Sequence, residues 1–569
     1  MRYLQRQEFD AVVVGSGISG GWAAKELCER GLKTLVLERG RDQEHRDYPT
    51  EHVPAWKFPL RERKLTPAQA PEHPTQAQTP SFREATKHYY IKDAENPYQQ
   101  AKPFLWVQGD QVGGKSLMWG RQSYRWSDLD FEANLKDGHG VDWPIRYADI
   151  APWYSHVERF AGFSGEKLGL PHLPDGELQP PMEMNAGEKW VKARLKDAYP
   201  DRVLTIGRTA VLTQPIGDRL PCHYCGPCAR GCSTGSYFSS QSSTLPAARK
   251  TGKLTLRPRS LAHSVIYDEE RDRAAGVRYV DTETGETHEV YARVIFLCAS
   301  TLGSTRVLLN SRSRRHPDGL GGGSGALGRY LMDHHIRQGA SGEIPGLLDR
   351  YYQGDRPNGT YLPRFRNLGG PASDRLDFVR GYAYQGGAGR GGWGRGATRP
   401  EIGAELKEAL HDPAPWRMGL SGFGECLPRK DNYVELAKET DPWGIPVLRI
   451  HASWGANELA MREDIKTQAA EMLEAVGCRN VQIRDELASG SITAMPGGAI
   501  HEMGTARMGR DPKTSVLNAF NQVWEAPNVF VTDGACMTSS GCASPSITFM
   551  ALTARAADHA VNELNRRTI

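Results

Sequence analysis

A mixed α/β fold with more than one domain is predicted by the length of the chain, by its turn-forming residues and by the pattern near its start. The chain of 569 residues is longer than one hydrophobic core usually supports. Its 61 glycines and 36 prolines indicate many turns and long ordered loops rather than a helical bundle. Within residues 10–40, two apolar runs flank a helical stretch from about residue 22 to 30, which is the order of a βαβ unit.

The turn of this βαβ unit carries Gly15, Gly17 and Gly20. In a Rossmann-like unit the first such glycine makes the tight turn, the second lets the backbone approach a pyrophosphate, and the third allows close helix–strand packing. Glu38 ends the second strand, where a carboxylate can bind the adenosine ribose hydroxyls. The complete unit predicts a dinucleotide site, and its position near the start of the sequence favours FAD over NAD.

Charge and hydropathy exclude two other classes of partner. The formal charge of +4 is small for this length and gives no electrostatic reason to expect nucleic acid. No run of about 18 apolar residues predicts a transmembrane segment, and the first residues lack the apolar run of a signal peptide.

Six dispersed cysteines fit reduced thiols better than a disulfide framework. They are Cys28, Cys298, Cys426, Cys478, Cys536 and Cys542.

Five further segments carry motifs. They are 108–126 (QGDQVGGKSLMWGRQSYRW), 141–158, 293–311, 501–509 (HEMGTARMG) and 528–561. Together with the first motif they resemble, in order, the glucose–methanol–choline (GMC) oxidoreductases, although the region from about 312 to 495 matches less well. Within the family the chain is most similar to the bacterial sugar-oxidising branch and resembles the FAD-dependent glucoside 3-dehydrogenase catalytic subunit. The stretches that carry this finer resemblance are 364–370, 378–393 and 441–450.

The resemblance implies a Rossmann-like FAD-binding domain and a substrate-binding domain with an antiparallel sheet, as in p-hydroxybenzoate-hydroxylase-like folds. The FAD-binding domain is expected to be discontinuous and to include a cysteine-rich loop at 222–232. Its predicted segments are 1–45, 100–135, 215–325 and 495–569. The substrate-binding domain is expected at 146–214 and 326–494.

Further cofactor contacts are implied by the family's later motifs. The second glycine turn supplies Gly113, Gly114 and Ser116, and Asp533 with Gly534 matches the family's late contact to the ribityl and pyrophosphate groups. Pyranose oxidases carry a histidine bonded to the flavin in the second turn, and Met118 stands at that position here. Because a thioether cannot make that bond, FAD is expected to be non-covalent.

His501 matches the family's catalytic histidine. A neutral imidazole can take the hydroxyl proton while the hydride leaves the carbon, because its ordinary pKa lies near neutrality. The second catalytic position, usually His or Asn before Pro, is Ser544 here. A serine hydroxyl can donate one hydrogen bond to the substrate oxygen but cannot act as a base near neutral pH. We therefore expect His501 to carry the proton transfer alone, with either Ser544 or another side chain positioning the substrate oxygen.

Cys222, Cys225, Cys228 and Cys232 have the spacing C-x2-C-x2-C-x3-C, which is the bacterial ferredoxin run without its following proline. Three of them could hold a [3Fe–4S] cluster, or all four a [4Fe–4S] cluster. A zinc site or a loop without metal are the alternatives, and a disulfide fits poorly with the crowding.

The resemblance implies an FAD-dependent dehydrogenase that oxidises a secondary alcohol of a sugar, at C3 of a glucoside to the 3-keto-glucoside, by hydride transfer to flavin N5. An iron–sulfur cluster would pass the electrons singly to a cytochrome or quinone. One alternative is an oxygen-using pyranose or C-glycoside 3-oxidase. Another is a non-catalytic flavin electron-transfer subunit in which Ser544 is a sign of decay.

Family members of this type also imply a partner. A small subunit with a twin-arginine signal would export the catalytic chain as a folded passenger, and a cytochrome c would accept its electrons. The expected location is therefore periplasmic with such a subunit and cytoplasmic without it.

Overall fold

The computed structural model describes residues 9–351, 354–370, 373–375, 377–392, 395–396 and 399–569. The remaining residues of the predicted domain segments 1–45 and 326–494 lie outside this description. Its strands are β1 (Phe9–Val14), β2 (Thr34–Leu37), β3 (Gln99–Gln100), β4 (Phe163–Ser164), β5 (Leu178–Gln179), β6 (Thr205–Ile206), β7 (Leu254–Arg257), β8 (Ser260–Asp268), β9 (Arg273–Asp281), β10 (Thr287–Leu297), β11 (Gln338–Ile344), β12 (Thr360–Leu362), β13 (Tyr382–Arg390), β14 (Trp416–Gly424), β15 (Tyr433–Thr440), β16 (Pro446–His451), β17 (Arg479–Asp485), β18 (Gln522–Val523) and β19 (Ala526–Val531).

The α-helices are α1 (Ile18–Glu29), α2 (Asp128–Phe131), α3 (Ala133–Asp137), α4 (Tyr147–Ala161), α5 (Ala186–Ala198), α6 (Thr244–Lys250), α7 (Thr301–Asn310), α8 (Gly403–His411), α9 (Ala456–Ala475) and α10 (Ser546–Arg566). The helix expected from about residue 22 begins earlier, at Ile18. It starts directly after Gly17, so Gly20 lies in its first turn.

The first sheet has the strand order β18-β19-β10-β1-β2-β7, with β8 and β9 extending it from β10. The central strands β19, β10, β1, β2 and β7 are parallel. Ala11 and Val13 pack against α1 and α10 on one face, whereas Val12 and Val14 belong to a separate core cluster. This split follows from the alternation of side chains along a strand, and both faces are covered as a parallel sheet requires.

The second sheet is antiparallel throughout, with the order β17-β11-β14-β13-β12-β6. Helix α9 covers one face, where Ile465 and Met472 join a buried cluster with Trp416 and Met418. The predicted mixed α/β fold with a Rossmann-like unit and an antiparallel sheet is therefore confirmed. The domain boundaries stay a prediction.

Two smaller sheets complete the strands: β15, β16 and β3 form one, and β4 pairs with β5 in the other. Across the described part of the chain, every helix is too short or too polar to cross a bilayer.

Candidate active site

The predicted cofactor residues meet at one edge of the first sheet. Because β1, β2, β10 and β19 are parallel, their carboxyl ends share this edge. Gly15 follows β1, Glu38 follows β2 and Asp533 follows β19 by two residues. In open α/β sheets ligands bind outside these carboxyl ends.

The three glycines of the first turn have different surroundings. A Cβ added to Gly15, whose φ is +93°, would lie 2.5 Å from the carbonyl oxygen of Cys298. One added to Gly20 would lie 1.9 Å from the carbonyl oxygen of Gly15, whereas one at Gly17 would meet only Gly113 O at 3.9 Å. Gly15 and Gly20 are thus required for packing, and Gly17 leaves open space at the start of α1, where free N–H groups favour an anion.

Hydrogen bonds join the first and second glycine turns. The Gly113 N–H donates to Ser16 Oγ at 2.8 Å, and Ser16 Oγ donates to Glu38 at 2.6 Å. Glu38 also accepts from the Gly40 N–H at 2.9 Å, and burial raises its pKa. Gly114 faces the first turn, since a Cβ there would lie 3.6 Å from Gly17 Cα.

The other two predicted residues of the second turn have partners within the protein. Ser116 Oγ donates to Gly113 O at 2.6 Å and accepts from the Ser240 N–H at 3.0 Å. Ser116 therefore stabilises the turn through its hydrogen bonds to Gly113 and Ser240. The Met118 sulfur lies 3.8 Å from the side-chain nitrogen of Gln111. The non-covalent attachment of FAD that Met118 implies stays a prediction.

Asp533 and Gly534 connect this edge to the catalytic motif. The Asp533 carboxylate accepts from Ser304 Oγ at 2.5 Å and from the Ala535 N–H at 3.0 Å, and burial raises its pKa to about 6. Gly534 O accepts from the Gly504 N–H at 2.9 Å. The late Asp–Gly pair and the segment after His501 are consequently one packed unit.

Some buried polar atoms beside the turns lack partners within the protein. The side-chain amide of Gln241 has neither its nitrogen nor its oxygen satisfied, and a Cβ on Gly113 would lie 2.1 Å from it. Glu502 Oε1 is unsatisfied as well, while Glu502 Oε2 pairs with Lys115 Nζ at 3.1 Å. Buried polar groups without partners are rare unless a ligand satisfies them. Together with the open glycine turns, these groups fit a bound dinucleotide.

His501 is held by the segment that leads into the second sheet. Met332 and Met503 exchange two backbone hydrogen bonds at 2.8 and 2.9 Å. The adjacent Asp333 carboxylate accepts the His501 N–H at 3.1 Å and three further backbone N–H groups, those of His334, Gly497 and Ala499. Burial, with a further contribution from nearby Glu502, raises the pKa of Asp333 to about 7.

The ring of His501 contacts His334. Their Nδ1 atoms are 2.9 Å apart, and the ring planes are inclined by 85°. His334 is fully buried, and its Nε2 hydrogen-bonds to the carbonyl oxygen of Gly541. Burial lowers the pKa of His501 well below its ordinary value, with smaller contributions from His334 and Lys115. A neutral His501 is what proton abstraction requires.

Ser544 has a neighbour from the second sheet. It is 4% exposed, and its Oγ accepts from Gln385 Nε2 of β13 at 3.2 Å. Because Ser544 Oγ accepts this bond, its own O–H remains available to donate. Gln385 of the second sheet thus contacts the second predicted catalytic position.

The cysteine run was predicted to hold a metal cluster, and the structure does not support this. Across the described part of the chain, no three His, Cys, Asp or Glu side chains are grouped so that they could hold a metal ion. Cys222, Cys228 and Cys232 pack against Met182, Val211 and Tyr237 instead. Burial and the neighbouring thiols raise the pKa of Cys225 to about 11. The iron–sulfur cluster is therefore not supported by the described residues.

Cys225 instead lines a cavity of about 740 Å³ between this loop and residues 51–86. Glu62 and Arg230 in its wall form an ion pair with each other. His501 and Ser544 are not among its lining residues.

Sequence reasoning missed four residues of the site. They are Gln241, Asp333, His334 and Gln385. The run Asp333–His334–His335 is a local signal that could have indicated two of them. Gln241 and Gln385 have no local signal.

Comparison with known proteins agrees with this architecture. The family profile described as GMC oxidoreductase matches residues 9–336 with its N-terminal part and 428–553 with its C-terminal part. The chain belongs to the GMC oxidoreductase family. Members of this family bind FAD, which agrees with the dinucleotide site at the sheet edge.

Three similar proteins are named for the oxidation of different alcohols and sugars. The 2-methyl-1,2-propanediol dehydrogenase of Mycolicibacterium austroafricanum is 28% identical over 97% of this chain and 94% of its own length. The fructose dehydrogenase large subunit of Gluconobacter japonicus is 23% identical over 98% of both chains. The C-glycoside 3-oxidase of Microbacterium trichothecenolyticum is 27% identical over 56% of this chain and 55% of its own. The protein is accordingly a GMC oxidoreductase with alcohol- and sugar-oxidising relatives.

Proposed function

We propose that this protein is an FAD-dependent dehydrogenase that oxidises a secondary hydroxyl of a sugar or glycoside, with C3 of a glucoside as the expected position. The observation that carries the proposal is the placement of a half-buried His501, whose pKa is lowered, beside the sheet edge that fits a dinucleotide. Alcohol oxidation needs a base for the hydroxyl proton and an acceptor for the hydride of the same carbon.

The residues divide this chemistry between them. His501 takes the hydroxyl proton, and the Ser544 O–H, oriented by Gln385, donates to the substrate oxygen. FAD, when bound, supplies the hydride acceptor. The residues that would hold it are the glycines of both turns, Glu38, Gln241 and Asp533 with Gly534.

The relatives support the substrate class. The relative named for fructose supports a sugar, and the one named for a diol without a secondary hydroxyl supports only alcohol oxidation in general; both match nearly the whole chain. The relative named for position 3 of C-glycosides supports C3, and it matches about half of the chain. That same relative is an oxidase, which favours an oxygen-using 3-oxidase as the second candidate.

Anaerobic stopped-flow reduction of the flavin by a methyl glucoside tests the proposal. Replacing the base in His501→Ala should slow flavin reduction by roughly 10²- to 10⁴-fold. His451→Ala is the matched control, because it also replaces a histidine by alanine but at a different place in the fold. His451 lies on β16, and the centroids of its ring and the Tyr433 ring are 4.2 Å apart. Equal rates for the parent and His501→Ala would contradict the role of His501, and no reduction by any sugar would favour a non-catalytic subunit.

The acceptor is tested separately. In air, a dehydrogenase turns over with an artificial electron acceptor and forms little hydrogen peroxide. Stoichiometric peroxide would favour the oxidase, and NMR of the product identifies the oxidised carbon.

A further inference from the structure

We propose that His334 is a positioning residue that fixes the tautomer of His501 and so leaves the lone pair of His501 Nε2 free to take the substrate proton. This proposal rests on the proposed function, in which His501 is the base. His334 itself contacts His501 and Gly541 through its two ring nitrogens.

The hydrogen bond between His334 and Gly541 fixes which ring nitrogen of His334 carries a proton. His334 Nε2 hydrogen-bonds to the carbonyl oxygen of Gly541, and a carbonyl can only accept, so Nε2 carries a proton. His334 is fully buried, which makes a second, charge-bearing proton costly. The pKa of His334 is accordingly lowered to about 4 by burial. A neutral His334 with its proton on Nε2 has its lone pair on Nδ1.

The lone pair on Nδ1 of His334 determines the role of His501 in the hydrogen bond between the two rings. The two Nδ1 atoms are 2.9 Å apart, and a hydrogen bond at this distance needs one donor and one acceptor. Since Nδ1 of His334 accepts, Nδ1 of His501 donates. The neutral ring of His501 then has its lone pair on Nε2.

The segment that carries His334 also holds the backbone of His501. Asp333 accepts the backbone N–H of His501. The preceding residue, Met332, forms two backbone hydrogen bonds with Met503. His334 and Asp333 are consecutive, so one segment holds both the backbone and the ring of His501. The centroid of the Phe423 ring lies 6.3 Å from the centroids of both imidazoles.

Two variants of similar size separate the acceptor from the donor of His334. The amide oxygen of His334→Asn can occupy the place of Nδ1 and keep an acceptor for His501. The longer side chain of His334→Gln can keep the donor to Gly541 but has no acceptor at the Nδ1 position. FAD content and thermal midpoint show whether each variant is folded.

Nitrogen-15 NMR of the histidine-labelled holoenzyme reads the tautomer directly, with the His501 signals identified by their loss in His501→Ala. We expect the proton of His501 on Nδ1 in the parent and in His334→Asn, and a mixture of tautomers in His334→Gln. A parent enzyme with the His501 proton on Nε2 would overturn the proposal, whatever its activity.

Kinetics supply the second readout. His334→Gln should slow flavin reduction roughly 10²-fold or more, as a general base in the wrong tautomer does, and His334→Asn should restore most of the rate. In the His501→Ala background His334→Gln should have no further effect. Equal losses in both variants, or additive losses with His501→Ala, would indicate a merely structural role. A normal rate in His501→Ala would refute the proposed function, whereas the NMR result would still decide the tautomer.

Discussion

Replacing Gly15 with alanine should damage the protein far more than the same replacement at Gly31. Both glycines have left-handed backbones, with φ values of +93° and +89°. The new Cβ at residue 15 would lie 2.5 Å from the carbonyl oxygen and 2.9 Å from the carbonyl carbon of Cys298, whereas at residue 31 it would meet nothing within 4 Å. Gly31→Ala therefore reproduces the backbone strain without the overlap.

The two contributions can be separated by magnitude. A left-handed non-glycine residue costs about 1–2 kcal/mol, which both variants incur. Overlap with backbone that cannot move aside adds about 1–3 kcal/mol at residue 15. We expect Gly15→Ala to lower the free energy of unfolding by about 2–5 kcal/mol in total. The variant should also release FAD, because the start of α1 is displaced.

Thermal unfolding, followed by tryptophan and flavin fluorescence, measures both effects, together with the FAD content of each purified variant. The Gly15→Ala protein should have the lower midpoint and the lower FAD content. Equal midpoints and equal FAD contents for the two variants would refute the argument from the Cys298 contact.

Four further predictions follow from other contacts. Asp333→Asn removes a carboxyl group whose pKa is raised to about 7 in the folded protein. Ionisation of this group destabilises the parent as the pH rises from about 4 to about 7, so the thermal midpoint of the variant relative to that of the parent should increase over this range. A constant difference between the two midpoints would contradict this. Arg364→Gln leaves buried Glu425 without its cation, 2.7 Å away, and should cost about 3–5 kcal/mol in urea unfolding. That loss should be larger at about pH 8 than at about pH 6, because the pKa of Glu425 is raised to about 7 by burial; the same loss at both would exclude its ionisation as the cause. Gln385→Leu removes the donor to Ser544 Oγ and should slow flavin reduction about tenfold at unchanged FAD content, and an unaffected rate would remove Gln385 from the site. Cys225→Ser should leave the visible spectrum unchanged, with no stoichiometric iron in parent or variant by metal analysis; a lost absorption shoulder would restore the cluster.

The βαβ unit could be predicted from the sequence because its signals are local. Gly15, Gly17 and Gly20 act on atoms only a few residues away or on the adjacent strand, and Glu38 follows directly on β2. The antiparallel sheet was predicted through the family resemblance, because its strands give no comparably specific local pattern. The pairing with a small subunit and cytochrome c stays a prediction.

The contacts around His501 could not be predicted in the same way. His334 precedes it by 167 residues, and Gln385 precedes Ser544 by 159. Such pairs are set by how the two sheets meet, which no window of sequence contains. The cysteine run is a different case. Its spacing allows a metal cluster, but Cys222, Cys228 and Cys232 pack into a small apolar cluster with Met182 and Tyr237, and the described residues form no metal-binding group.

The parallel strands at the cofactor edge also impose an order on biosynthesis. Strands β1 and β2 leave the ribosome early, but β10 is made much later, and β19 with Asp533 comes near the last of the described residues. The nascent chain must therefore keep the apolar edge of β1 unpaired while residues 15–286 are made. FAD can bind its complete site only after translation has passed residue 534. Slow translation between β1 and β10 thus prolongs the exposure of this edge, and chaperone demand is expected to rise with it.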